Sequence, residues 1–225
     1  MRFNIFNQIH KGLRALLYDT ALLLQRTNFQ DEYELQQAIE RVQLVADLFD
    51  DHAHHEDEFV LPAIRQYEPS LVDAFEQEHV TDMKLAHNMR SSLEGLQLAS
   101  FNVKPEMGKE VIKCFSSFML FNLEHMEKEE SVLNKVLWRY YSDQEIIGIQ
   151  QNIVKSLTPW GALHSSTWMM RGLNNAEIRD WLKAVEQTAP PDAFQQLYTL
   201  AEKELPLNRF QNVLESLTDG AMLAN

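Results

Sequence analysis

Cysteine is almost missing from this 225-residue chain: Cys114 stands alone. No intramolecular disulfide can form, which fits a reducing compartment. Glycine and proline are scarce too, at seven each, and turn-rich β architecture needs more of both. No run of lysine and arginine is long enough to make a basic patch, and the formal charge is −13. Such a surface repels phosphate backbones, so nucleic acid is excluded as an expected partner. No apolar run approaches the ~20 residues of a membrane span, so no membrane partner is expected either. The opening residues MRFNIFNQIHKGL interrupt every apolar run with polar ones. They show neither the h-region nor the cleavage site of a secretory leader. A soluble, cytoplasmic protein is expected.

What is present is helical periodicity. Four clusters of turn residues punctuate the first half: Thr27 to Asp31, Gln66 to Ser70, Ser100 to Pro105, and Ser142 to Glu145. The last has the Ser-x-x-Glu form of a capping box. Pro69 pushes Glu68 out of the helical region. Long segments with apolar residues at helical spacing lie between the clusters. Short connections make successive helices antiparallel neighbours, which predicts an all-α, up-down-up-down four-helix bundle over residues 1–141. Pro62, near the end of the second helix, should bend or end it. Residues 142–225 read as a C-terminal extension of shorter helices. Asn174 to Glu177 and Pro190 to Asp192 mark helix starts there, and Pro206 opens or kinks the last helix. Residues 220–225 are expected to fray. Trp160, His164 and Trp168 share a helical spacing, and packing against the bundle or a dimer mate is their expected role.

Four of the eight histidines fall one per bundle helix: His10, His52, His79 and His125. In an antiparallel pair, two residues are level when the midpoint of their numbers lies at the connecting turn. His10 and His52 centre on Asp31, His52 and His79 between Arg65 and Gln66, and His79 and His125 on Asn102. All three midpoints fall at turns, so the four imidazoles share one layer. Their facing agrees. His52 and Glu56 fill a gap in the stripe Val45, Leu48, Phe59, Ala63, and His125 and Glu129 fill one in Phe115, Phe118, Val132, Val136. Phe75 and Ala86 flank His79; Phe3, Phe6, Leu13 and Leu17 flank His10. His54 lies instead on the charged line of Asp47, Asp51 and Glu58, and His55 borders the inward stripe. Residues four apart are neighbours on a helix surface. Two buried carboxylates without a counter-charge would cost several kcal/mol, and cations remove that cost. Four imidazoles and two carboxylates suit two iron ions, with manganese or zinc as alternatives.

The segments His52-Ala-His-His-Glu56-Asp-Glu-Phe-Val-Leu-Pro62 and His125-Met-Glu-Lys-Glu129-Glu-Ser-Val-Leu resemble the two repeated motifs of haemerythrin-like (HHE cation-binding) domains. Asn7-Gln8-Ile9-His10 and Glu78-His79 are similar to that family's single-His helices. The register of Pro62 selects His52 and Glu56 as the motif pair over His54 and Glu58. The resemblance implies a non-haem di-iron centre in which Glu56 and Glu129 bridge the irons and the four histidines complete the shells. Ferritin-like bundles use Glu-x-x-His instead, and only Glu76 and His79 take that form here. Oxygen-carrying haemerythrins have a further His one turn after the third-helix His; Met83 stands at that position, with Asp82 and His87 as the nearest substitutes. This departure points away from simple O2 carriage. It points toward handling or sensing of O2, NO or iron, with a di-iron enzyme or iron-sulfur cluster repair factor as one alternative. A regulatory module whose C-terminal helices bind a protein partner or form a homodimer is the other.

Overall fold

The computed structural model describes residues 2–222, with side chains to residue 217. Among the described residues there is no strand, and no helix is long and apolar enough to cross a membrane. The first bundle helix is α1 (Asn7–Arg26). The second is α2 (Glu32–His55), continued by a π-helical turn (Glu56–Val60) and α3 (Leu61–Arg65). The third is α4 (Pro69–Leu98). The fourth is α5 (Lys104–Lys128), continued by a second π-helical turn (Glu129–Leu133) and α6 (Asn134–Tyr140). The all-α bundle is therefore as expected. Its turns have local causes. Asp31 caps α2 by accepting from the N–H groups of Tyr33 and Glu34, and Glu68 adopts φ −135° ahead of Pro69.

The π turns alter two expectations. Pro62 does not end its helix, because the wide turn comes first and places it in the opening turn of α3. There its missing N–H removes no helical bond. Each π turn also carries one residue more than an α turn, so the inward positions beyond it move along by one. Val60 and Ile64 (1% and 0% exposed) are fully buried, while the expected Phe59 and Ala63 are only half-buried. Leu133 is buried completely, whereas Val132 is 37% exposed.

The chain packs as two compact units. The first unit comprises the chain through Asn7 together with Leu16–Gly161. It includes α7 (Asp143–Ser156), whose Ser142–Glu145 capping box forms as expected. Ile146 of α7 is fully buried in a core with Ile5, Phe6, Val60, Leu61, Ile64, Phe75, Leu133 and Leu137. The capping box marks a helix start; burial, which it does not report, sets the boundary. The second unit joins Gln8–Ala15 to the chain from Ala162. Its core holds Met170, Leu173, Ile178, Leu182, Leu197, Ala201, Phe210 and Val213. Apart from Leu173, in the turn before α9, these come from α8 (Pro159–Gly172), α9 (Asn175–Thr188), α10 (Pro191–Glu204) and α11 (Leu207–Met222). Asn174 and Glu177 form a second capping box; Trp168 is buried, whereas Trp160 is 41% exposed. Gly172 crosses so close to Lys11 that a Cβ would lie 2.4 Å from its carbonyl oxygen. The helix α11 reaches Met222; the remainder of the end expected to fray lies outside the described residues.

Candidate metal centre

The six residues singled out by spacing converge inside the bundle. His10, Glu56, His79, His125 and Glu129 are buried, at 0%, 3%, 4%, 4% and 0% exposure, and the His52 side chain is 10% exposed. His54 is exposed and His55 half-buried; of the three, only His52 joins a group of potential ligands among the described residues. Among the described residues, two groups of potential ligand atoms form, each with all its atoms within 4.8 Å of one another. One is His10, His52, Glu56 and Glu129; the other is Glu56, His79, His125 and Glu129. His10 is carried by α1, a continuous helix whose two ends belong to the first unit.

The i, i+4 spacing works as helix geometry demands. His52 Nε2 lies 3.2 Å from Glu56 Oε1, and His125 Nε2 lies 3.0 Å from Glu129 Oε1. His79 Nε2 comes across from α4 to 3.4 Å from Glu56 Oε2. The His79 and His125 rings meet edge-on at 5.1 Å, and Phe75 and Phe121 pack beside His125. Burial disfavours charge on both imidazoles, but the carboxylates overcome it. Glu56 and Asp57 push His79 up to about 9, and Glu129, Glu56 and Glu78 push His125 up to about 10.

Two residues that hydrogen-bond these histidines were not singled out from sequence as their partners. The Nδ1–H of His79 donates to Asp57 Oδ1 at 2.8 Å, and that of His125 donates to Glu78 Oε2 at 2.7 Å. Lys128 Nζ donates to the other Glu78 oxygen at 2.8 Å. Burial would raise the Glu78 carboxyl, but these two donors outweigh it and hold it below its ordinary range. Their place in the chain was the available signal: Asp57 directly follows Glu56, and Glu78 directly precedes His79.

The residues after His79 sort differently from the expectation. Met83 is 56% exposed and lines an outer groove with Val80, Lys84, His87 and Asn88. Neither Met83 nor His87 faces the histidine layer. Asp82, three residues on, is the buried one, at 4%, and it accepts from Asn122 Nδ2 at 2.6 Å. Burial raises its carboxyl. Glu76, the ferritin-like alternative, is exposed and paired with Arg65.

The donor set fits a metal ion. It offers only imidazole nitrogens and carboxylate oxygens, a mixture suited to iron, manganese or zinc. With Nδ1 of His79 and His125 engaged by carboxylates, each Nε2 is the atom left to bind. A helical bundle carrying such groups on facing helices defines a cation-binding protein of the imidazole–carboxylate class. The model of the hemerythrin HHE cation binding domain matches residues 2–137, and the chain belongs to that family. No match is found among curated proteins or among solved structures.

Proposed function

We propose that this bundle holds two iron ions, with Glu56 and Glu129 shared between them, and that it handles or senses O2, NO or iron. One observation carries the reading: the two four-residue groups contain the same two carboxylates and different pairs of histidines. Two cation positions with common carboxylates are the simplest account of that overlap. Two cations would take over from the His79 and His125 imidazoliums the positive charge beside Glu56 and Glu129.

His10 and His52 serve one position, His79 and His125 the other. Each position then draws two imidazoles and two carboxylate oxygens from the chain, which leaves room for a small exogenous ligand. Iron there would supply reversible electron exchange with a diatomic molecule. Phe75 and Phe121 pack beside His125, and the near-complete burial of the ligand residues limits access of bulk water.

Metal analysis tests this directly. Purified protein should carry about two irons per chain, and a His52→Ala/His125→Ala double variant should lose them. Metal content near zero in both would refute the reading. Optical spectra of the reduced protein before and after O2 and NO then identify the ligand. Repeated turnover of peroxide or NO would favour the enzyme alternative over a sensor or store.

A further inference from the structure

We propose that Asp57 and Glu78 are positioning residues for the same cation position, the one formed by His79 and His125. This rests on the two-position reading above and deepens it by giving the positions separate supports.

The two contacts are alike and converge. Asp57 Oδ1 takes the Nδ1–H of His79 at 2.8 Å, and Glu78 Oε2 takes that of His125 at 2.7 Å. In each case the other ring nitrogen turns inward, to Glu56 for His79 and to Glu129 for His125. An imidazole that gives its Nδ1 proton to a carboxylate is fixed in one tautomer and one ring orientation. Its Nε2 lone pair then faces the centre, and the nearby negative charge makes it a better donor. Both histidines so held belong to a single group of potential ligands.

The wiring runs from helix to helix. Asp57 sits on the π turn after α2 and steadies a histidine of α4; Glu78 sits on α4 and steadies a histidine of α5. Each is the chain neighbour of an inward residue. Adjacent helical residues diverge by about 100°, so one can point to the centre while the next reaches the adjoining helix. Glu78 is itself held by Lys128 at 2.8 Å, which fixes the carboxylate that fixes His125. The rings are 5% exposed, while the Asp57 and Glu78 side chains are 46% and 26% exposed. Truncating these carboxylates therefore opens no large cavity in the core.

The test is a cobalt(II) titration of metal-free, full-length protein against a competing chelator, since cobalt absorption in the visible reports its ligands. Wild type should bind two equivalents. In Asp57→Ala and Glu78→Ala, one equivalent should weaken by about 10- to 100-fold while the other keeps its affinity and spectrum. Asp57→Asn and Glu78→Gln keep an acceptor without its charge, so they should fall between alanine and wild type. Lys128→Ala should have the smallest effect. Equal weakening of both equivalents would mean general destabilisation, and four variants indistinguishable from wild type would mean inert surface pairs. Either result overturns the inference while leaving two cations in place. A wild type that binds fewer than two would instead sink the two-position reading itself.

Discussion

Deleting Val132 tests whether the π turn after Glu129 is a one-residue insertion in an otherwise α-helical element. Val132 is 37% exposed inside that turn, while Leu133 at its end and Leu137 beyond it are fully buried. If the turn absorbs one extra residue, the deletion lets it relax to α geometry. Leu133, Val136 and Leu137 then keep facing the core, and stability falls by less than about 2 kcal/mol. If the element were continuous α-helix, the deletion would rotate everything beyond it by about 100°. Leu133 and Leu137 would leave the core, at a cost of roughly 1.5–3 kcal/mol each, or about 3–6 kcal/mol together. A domain stable by only about 5–15 kcal/mol would show that plainly. Urea unfolding of metal-free protein measures the difference. The Glu129 carboxylate should also shift, so metal stoichiometry should drop although the fold survives. A loss above about 3 kcal/mol, or a failure to fold, would refute the insertion argument.

Three further outcomes are expected. Gly172→Ala places a Cβ 2.4 Å from the Lys11 carbonyl oxygen; overpacking of that kind costs about 1–3 kcal/mol and should lower Tm by several degrees in a thermal melt. An unchanged Tm would show that the crossing can open freely. Asn122→Leu removes the amide that donates to buried Asp82, at a cost of about 1–3 kcal/mol, and adding Asp82→Leu should recover much of the loss in a double-mutant cycle. Without metal, the neighbouring carboxylates hold the His79 and His125 imidazoles up at about 9 and about 10, above the ordinary 6.5. The stability they add is complete below about pH 6.5 and disappears as pH climbs through 9 and 10, so the urea midpoint should fall across that range. Metal affinity should rise over the same range, because Nε2 must lose its proton to bind.

The sequence carried the bundle and the six central residues because both depend on period and spacing. Level midpoints and i, i+4 pairs survive small errors in helix length. The residues it missed depend on finer geometry. Asp57 and Glu78 lie within charged stretches that resemble a solvated face, and only the neighbouring helix makes them specific. The exposure of Met83 turns on whether a residue three or four places beyond His79 faces inward, a difference of about 100°. Asp82 is the buried one, and it joins neither group of potential ligands. The first unit runs past 141/142 to Gly161, because Ile146 of α7 continues the apolar pattern of its core across a short turn.

The two π turns deserve a common cause, since they occupy equivalent places. One begins at Glu56 and the other at Glu129, each four residues after a histidine of the centre. In both, the glutamate carbonyl accepts from the residue five places on, Leu61 N–H in one and Asn134 N–H in the other. Pro62 lies beside the first turn, but the second contains and follows no proline. Proline therefore does not explain the pair. Core packing alone gives no reason to widen two separate helices at the same height. What the two turns share is a buried carboxylate aimed at facing histidines, and π turns concentrate at functional sites. The wide turn lets Glu56 and Glu129 reach the centre while Val60 and Leu133 still enter the core one residue late. On that argument the irregularity belongs to the candidate metal centre, and removing it should impair the site before it impairs the fold.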